Sequence, residues 1–360
     1  AYEMLRSLVG SEMCNKRQYK QEDAAMITIS DIAVLAETST ATVSRVLNAD
    51  PHVAPGTRQR ILQVIATTGY KPRSSSKTDS KKKNSILVLL PSLENPYFST
   101  ILRGVEHRAS AAGYDTLMAV THRNYEKETK YLNMLTSGLV DGVILFTTSL
   151  PNDQLNDLSA RYPIIQCGAI AEGSNISYVS IDDTAAAYDA TSYLISLGNQ
   201  RIAMITSSNN IPFEKKRLAG YMDALNDHGI PYVPSYKMIC NNHYLDSYNC
   251  VEALMKLPEK PTAIFCYSDL TALGALNYAY DHGLKPGSDL DILGFDGTYL
   301  TECVSPHLST VEQPAYEMGK TAFNMLSDRI ADANYIAQKV IISHKLVIRE
   351  TTRKLPASVS

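Results

Sequence analysis

Between Ile29 and Asn48 the chain carries two short segments around a turn, and the second offers a surface suited to one kind of recognition. Thr40, Ala41, Thr42, Ser44 and Arg45 are small, hydroxylated or cationic, so a helix showing them outward can enter a DNA major groove without a bulky obstruction. The elements that must hold this face are legible around it. The first segment is apolar at Ile32, Ala33, Leu35 and Ala36, the second at Val43, Val46 and Leu47. Thr28, with Asp31 three residues on, is a capping-box start for the first helix, and Ser39 is an N-cap for the second. An ordinary helical hairpin on a domain surface fits these twenty residues equally well.

A third helix follows. Ile61, Val64, Ile65 and Thr68 fall on one face of the stretch from Thr57 to Thr68, Pro55 suits its first turn and Gly69 its end. Val53 and Tyr70 close a core that is marginal alone, so DNA or the rest of the chain helps to order it. Next comes a polar run, 71–84, in which six of fourteen residues are Lys or Arg and Pro72 is the sole apolar residue. Such a linker is too polar to pack, and its charge suits phosphates or, equally, a plain solvated spacer.

Charge separates the chain in the same places. Residues 26–83 hold nine Lys/Arg against four Asp/Glu, while the 360-residue whole is at −3. A basic head on an acidic body is what a nucleic-acid-binding module with a separate regulatory domain shows. With 44% hydrophobic residues the body can bury a sizeable core, and no apolar run approaches the roughly 18 residues needed to span a bilayer. Residues 1–25 have mixed charge and no continuous apolar segment, so they are expected to be a flexible extension rather than a secretory signal. The six cysteines show no CxxC and no histidine at zinc spacing, which predicts buried, reduced thiols in the cytosol, and no metal or cofactor.

From Ser85 on, the pattern is of buried strands alternating with amphipathic helices. Strands are expected at 86–90, 115–120, 142–146, 164–167, 178–181, 202–206, 263–266 and 292–295. Helices are expected near 97–112, 126–138, 183–197, 214–228, 247–257, 269–282 and 315–332. Near-continuous apolar strands between helices mean parallel sheets covered on both faces. Two similar halves imply two doubly wound lobes and a cleft at the carboxyl ends of their strands. No GxGxxG, GxxxxGK[ST] or nucleophile elbow is present, so nothing supplies a reaction.

With the head from Thr28 to Pro72, the motifs Asn95-Pro96-Tyr97-Phe98, Val140-Asp141-Gly142-Val143-Ile144, Arg217-Leu218-Ala219-Gly220-Tyr221, Ser268-Asp269 and Gly294-Phe295-Asp296 recur in order over most of the chain. In these residues the chain resembles the LacI/GalR family of bacterial repressors. The resemblance implies an α/β fold, with an N-terminal three-helix helix-turn-helix head and a two-lobed periplasmic-binding-protein-like body with doubly wound parallel sheets. The implied divisions are an extension 1–25, a DNA-binding domain 26–72, a basic linker 73–84, a body 85–354 and a tail 355–360. Lobe one takes 85–181 and 314–343, lobe two 182–313 and 344–354.

It implies site residues as well. Thr40, Ala41 and Arg45 stand where relatives touch base edges; Thr28, Ser39, Thr42, Asn48, His52, Thr57 and Tyr70 stand where they touch phosphates or fix the head's register. The chemistry agrees, since arginine offers guanine a bidentate fork and alanine or threonine methyls can contact thymine. In the cleft, Tyr97 and Phe98 fall where relatives stack or wall an effector ring, exposed there by the Asn95-Pro96 turn; a place in the plain core is the alternative for either. Arg217 and Asp296 fall where relatives hydrogen-bond sugar hydroxyls or a base edge, as a fork and an acceptor; a surface helix cation and the cap of a strand-end turn are the alternatives. Asp182 and Asp269 are further candidates that equally well start helices, and His243 falls near a relative's aromatic.

The implied function is a homodimeric repressor of operator DNA controlled by a small effector, a nucleoside such as cytidine. A purine or sugar effector, or a ligand receptor without DNA function, are the alternatives. No heptad leucines follow Arg353, which favours a dimer over a coiled-coil tetramer. Two departures stand out. Asp79 replaces the leucine that relatives wedge into the minor groove, which predicts a slack tether, variable half-site spacing and help from the cAMP receptor protein on adjacent DNA. Glu37 replaces a turn glycine, at little cost if its backbone stays out of the left-handed region.

Overall fold

A computed structural model of the chain describes residues 28–47, 50, 52–68, 70, 84–169, 174–207, 211–240, 244–332 and 334–353. The expected extension 1–25, the linker apart from Asn84, Asn48, Gly69, His243 and the tail 355–360 lie outside these. The chain divides into two compact units, the boundary falling between Lys81 and Lys82.

In the first unit, α1 (Ile29–Leu35), α2 (Thr40–Leu47) and α3 (Pro55–Thr68) enclose a core of Ile32, Ala33, Ala36, Val43, Val46 and Ile61, with Val53 and Tyr70 packed against it. The capping box is formed: the Asp31 N–H donates to Thr28 Oγ1 at 3.3 Å, and the Thr28 N–H to Asp31 Oδ2 at 2.7 Å. Two expectations are corrected. Leu35 is 56% exposed, because it lies one residue, about 100° of helix rotation, off the buried Ala36. Glu37 has φ of 47°, in the left-handed region. The Thr38 N–H reaches back to the Ala33 carbonyl at 2.9 Å, and that closure of α1 dictates the conformation whatever side chain occupies it.

The second unit holds two six-stranded sheets. Lobe one contains β1 (Ser85–Leu90), β2 (Asp115–Val120), β3 (Gly142–Leu145), β4 (Ile164–Cys167), β5 (Ser177–Ser180) and β11 (Lys339–Ile341), all parallel, in the order β11-β5-β4-β3-β1-β2. Lobe two contains β6 (Ile202–Thr206), β7 (Lys237–Ile239), β8 (Ala263–Cys266), β9 (Asp291–Asp296), β10 (Ser309–Glu312) and β12 (Lys345–Val347), in the order β12-β10-β9-β8-β6-β7. Only the β10–β12 pair is antiparallel. Strands β3, β4, β6 and β8 are buried along their length, as sheets covered on both faces require.

Helices α4 (Pro96–Ala111), α5 (Tyr125–Thr136), α6 (Asn152–Arg161) and α11 (Ala315–Ala331) belong to lobe one; α7 (Asp183–Ser196), α8 (Pro212–Asp227), α9 (Tyr244–Met255) and α10 (Asp269–Asp281) belong to lobe two. The chain crosses between the sheets after β5, after β10 and between β11 and β12. Both sheets have the same winding, so the order reverses between β1 and β3 in one lobe and between β6 and β8 in the other. Ligands bind open α/β sheets beyond the carboxyl ends at such reversals. One glycine sets a distance that matters there. A Cβ on Gly220 would run into the Thr184 carbonyl oxygen, so α8 lies close enough to α7 for Arg217, one turn earlier, to reach Asp183.

The sequence pattern missed α6, β7, β10, β11 and β12. Helix α6 buries only Leu155, and β7, β11 and β12 are three-residue pieces with exposed positions. Of the cysteines, Cys167, Cys240, Cys250 and Cys266 are buried, but Cys303 is exposed, contrary to expectation.

Candidate functional site

Two surfaces carry the expected residues. On the head, Val43 and Val46 turn α2 inward and leave Thr40, Ala41 and Arg45 exposed. Ala41 and Arg45 are four apart and share a helix face. Ser39 caps α2: its Oγ accepts the Thr42 N–H at 3.2 Å and lies 2.9 Å from Thr42 Oγ1. Thr28 caps α1, and Thr57 lies in the first turn of α3. His52 is exposed, with Nδ1 3.0 Å from Asp50 Oδ1, while the Arg58 guanidinium donates to the Asp50 carbonyl. Tyr70 is packed on the core, its exposure only partial. Hydrogen bonds from Thr28 hold the Asp31 carboxyl below the usual range, and those from His52 do the same for Asp50.

In the body, residues beyond the strand ends converge on a cavity between the lobes. Phe98 and Phe146 form the lobe-one wall at the β1/β3 reversal, and Phe213, Arg217, Tyr267 and Asp296 the lobe-two wall. Arg217 is 5% exposed and held from several sides. Its Nε donates to Asp183 Oδ1 at 2.8 Å, and its Nη1 donates to the Tyr267 carbonyl at 2.6 Å and lies 4.0 Å from Asp296 Oδ1. Its Cζ lies 3.5 Å from the Phe295 ring centre and 4.9 Å from that of Phe213. A guanidinium clamped this way keeps one orientation and presents a fixed fork.

Asp296 ends β9 with φ of 110°, a conformation that L side chains rarely adopt. Its Oδ1 accepts from Gln313 Nε2 at 2.8 Å, and its Oδ2 from Asn95 Nδ2 at 2.7 Å, so Asn95 ties lobe one to lobe two. The Tyr97 hydroxyl donates to Gln313 Oε1 at 2.9 Å. Burial pushes the Asp296 carboxyl above the usual range, opposed by Arg217 and by the Asn95 and Gln313 bonds. Asp183 is raised by burial too, against Arg217.

The structure thus brings Tyr97, Phe98, Arg217 and Asp296 together and leaves other candidates apart. Asp182 is exposed and caps α7, accepting the N–H groups of Thr184 and Ala185 at 3.0 Å; its neighbour Asp183 makes the cleft contact. Asp269 lies behind the wall, where Oδ1 accepts from Thr310 and Oδ2 from the Thr298 N–H and hydroxyl. Burial, then the charge of Asp296, raise its carboxyl. Tyr97 is buried rather than exposed by the Asn95-Pro96 turn, because Asn95 caps α4 and turns it inward. Asn95, Phe146, Asp183, Phe213, Tyr267 and Gln313 were not expected. Their one sequence signal is position just past an apolar strand or at a Pro-led helix start. Among the described residues no helix is long and apolar enough to cross a membrane, and no group of three His, Cys, Asp or Glu could hold a metal.

Comparison with known proteins bears on both surfaces. Residues 28–73 match the profile of bacterial regulatory proteins of the lacI family. Residues 83–350 match that of periplasmic binding proteins and the sugar binding domain of the LacI family. The chain is 35% identical over 340 residues to the HTH-type transcriptional repressor CytR of Escherichia coli (strain K12), covering 94% of this chain and 99% of that one. It is 33% identical over 330 residues to catabolite control protein A of Priestia megaterium, covering 91% and 99%. Among solved structures, the complex of the transcriptional regulator CelR with cellobiose is similar at a TM-score of 0.68 and 27% identity, over 90% of this chain and 99% of that one.

Proposed function

Because the chain belongs to the LacI family of bacterial regulatory proteins, whose members bind operator DNA and answer to small effectors, we propose that it is a repressor controlled by a nucleoside such as cytidine. It works in the cytosol as a homodimer, and it binds its effector without turning it over.

One observation carries the nucleoside reading: a clamped guanidinium and a carboxylate stand in one cavity with the rings of Phe98 and Phe213. The charged pair suits a ribose diol, the carboxylate accepting hydroxyl protons and the guanidinium donating to hydroxyl oxygens. The rings suit a flat heterocycle, which prefers offset or edge-on aromatic neighbours. A sugar such as that bound by CelR uses the diol contacts alone, and is the second reading.

On the head, Thr40, Ala41 and Arg45 read base edges. Thr28, Ser39, Thr42, Asn48, His52, Thr57 and Tyr70 hold phosphates or the head's register. A nucleoside that closes the lobes shifts the body between two states, and the dimer passes that shift to the spacing of its heads. Because Asp79 stands where relatives carry a wedging leucine, the cAMP receptor protein on adjacent DNA supplies the affinity that the wedge would give.

Calorimetric titration of the full chain with cytidine and with D-ribose tests the effector. Cytidine is expected to bind at least about tenfold more tightly, and Asp296→Ala to abolish its binding. Equal or tighter binding of ribose overturns the nucleoside in favour of a sugar.

A further inference from the structure

A second cavity adjoins the first, sharing Phe98, Thr147, Phe213 and Tyr267 as walls. Lobe two contributes Glu214 to it from the first turn of α8, one turn before Arg217. Glu214 is 2% exposed, and its Oε2 is buried with no hydrogen-bond partner. Ser207, at the end of β6, hydrogen-bonds the carboxyl. A buried carboxylate with an unfilled acceptor costs folding free energy, and such groups are uncommon in native proteins. Facing the same cavity from lobe one are His122 and Arg123, both at φ of 54°, outside the conformation that non-glycine residues prefer. Backbone strain and an unsatisfied carboxyl on opposite walls of one cavity mark a place shaped for a ligand.

We propose that Glu214 selects the effector's base, its carboxylate accepting an N–H of an exocyclic amino group, so that the site takes aminated heterocycles such as cytosine and rejects those with a carbonyl there, such as uracil. This rests on the nucleoside reading above and adds the chemical class of the base. Cytosine presents an amino donor where uracil presents a carbonyl oxygen. A carboxylate gains a charge-assisted bond from the first and repulsion from the second. Rejection is strong because a polar group built to accept is left unpaired by the wrong base.

The charged and titratable groups around Glu214 are Glu94, His122 and Arg123 of lobe one, Arg217 on its own helix, and Tyr267 beyond β8. Burial raises the Glu214 carboxyl to about 7, opposed by Ser207, Arg123 and Arg217. An N–H donor favours the charged form, so cytidine binding expels a proton where the free carboxyl still holds one. Affinity therefore rises with pH up to about 7 and levels off above it.

Titration calorimetry on the full chain, with cytidine and uridine, about one unit either side of pH 7 and in buffers of different ionisation heat, tests this. Wild type is expected to bind cytidine at least about tenfold more tightly than uridine. It should lose several-fold of that affinity at the lower pH, where it releases a proton on binding. Glu214→Gln, whose amide can donate to a carbonyl, should flatten the pH dependence and bring the two nucleosides within about threefold. If cytidine binds wild type but Glu214→Gln keeps the same preference and pH slope, Glu214 is not the selector and the nucleoside reading stands. If neither nucleoside binds wild type, the nucleoside reading falls and this inference with it. Should the variant fail to fold, absence of proton release by wild type overturns the proposal by itself.

Discussion

The carboxylates of the head and of the cleft are perturbed in opposite directions. Asp31 and Asp50 stand in water and are held below the usual range by hydrogen bonds from Thr28 and His52. Asp183, Asp269, Asp296 and Glu214 are buried and pushed above it. A face meant for a large polyanion can leave its groups hydrated, because the partner itself brings charge and excludes water on docking. A small ligand brings too little surface for that, so its site must be dried and oriented beforehand. The head's carboxylates are accordingly hydrated, whereas those of the cleft are desolvated and rely on Arg217, Asn95, Gln313 and the threonines behind the wall for compensation.

The comparison breaks most sharply at Arg217. Arg217→Ala leaves Asp183 and Asp296 without their countercharge, and the body's calorimetric transition should lose about 3–5 kcal/mol, while the head's unfolding stays where it was. A loss below about 1 kcal/mol would mean that the cleft tolerates buried charge as a surface does.

Arg45→Ala makes the opposite experiment. Its side chain is exposed, so thermal stability should hold within about 0.5 kcal/mol. Binding to a two-fold site selected from random DNA should weaken by about 1–3 kcal/mol, with a much smaller effect on non-specific DNA. Equal weakening on both DNAs would reassign Arg45 to a phosphate.

The gentlest test is titration of stability. Glu214 has a folded value raised from 4.5 to about 7, so its contribution is fully present below about 4.5 and is lost as the pH rises through about 7. For Asp31 and Asp50, whose folded values lie below 3.8, the contribution is present above 3.8 and is lost on further acidification. Scanning calorimetry should find the body steadier at about pH 5 than at about pH 8, with the head indifferent until strong acid. A body transition that rises with pH across this window would contradict burial as the dominant cause.

Much of this was written locally. The Thr28–Asp31 box, the Ser39 cap and the stripe of Ile32, Val43, Val46 and Ile61 each depend on residues within a turn or two, so spacing reveals them. The apolar cores of β1, β3, β6 and β8 show for the same reason. Where a neighbour in space decides, the pattern is silent. Helix α6 shows one buried residue, β11 and β12 exist because other strands offer them an edge, and Leu35 differs from Ala36 only in which way the helix faces. Glu37 misleads because the closure of α1, not the side chain, sets its φ.

What the residue order settles unaided is the helices and strands that carry a broad apolar face, and that a small basic module precedes a large acidic one. Capping, periodicity and charge are short-range properties and survive being read along a line. The cleft is different in kind. Its members Asn95, Arg217 and Asp296 lie up to 201 positions apart, and nothing in their spacing says that Asp183 rather than Asp182 meets the guanidinium. That choice follows from the winding of the two sheets and from the close packing at Gly220, which decide what is desolvated together. Desolvation gives a carboxylate its altered acidity and its appetite for a partner, and burial exists only once the chain has folded.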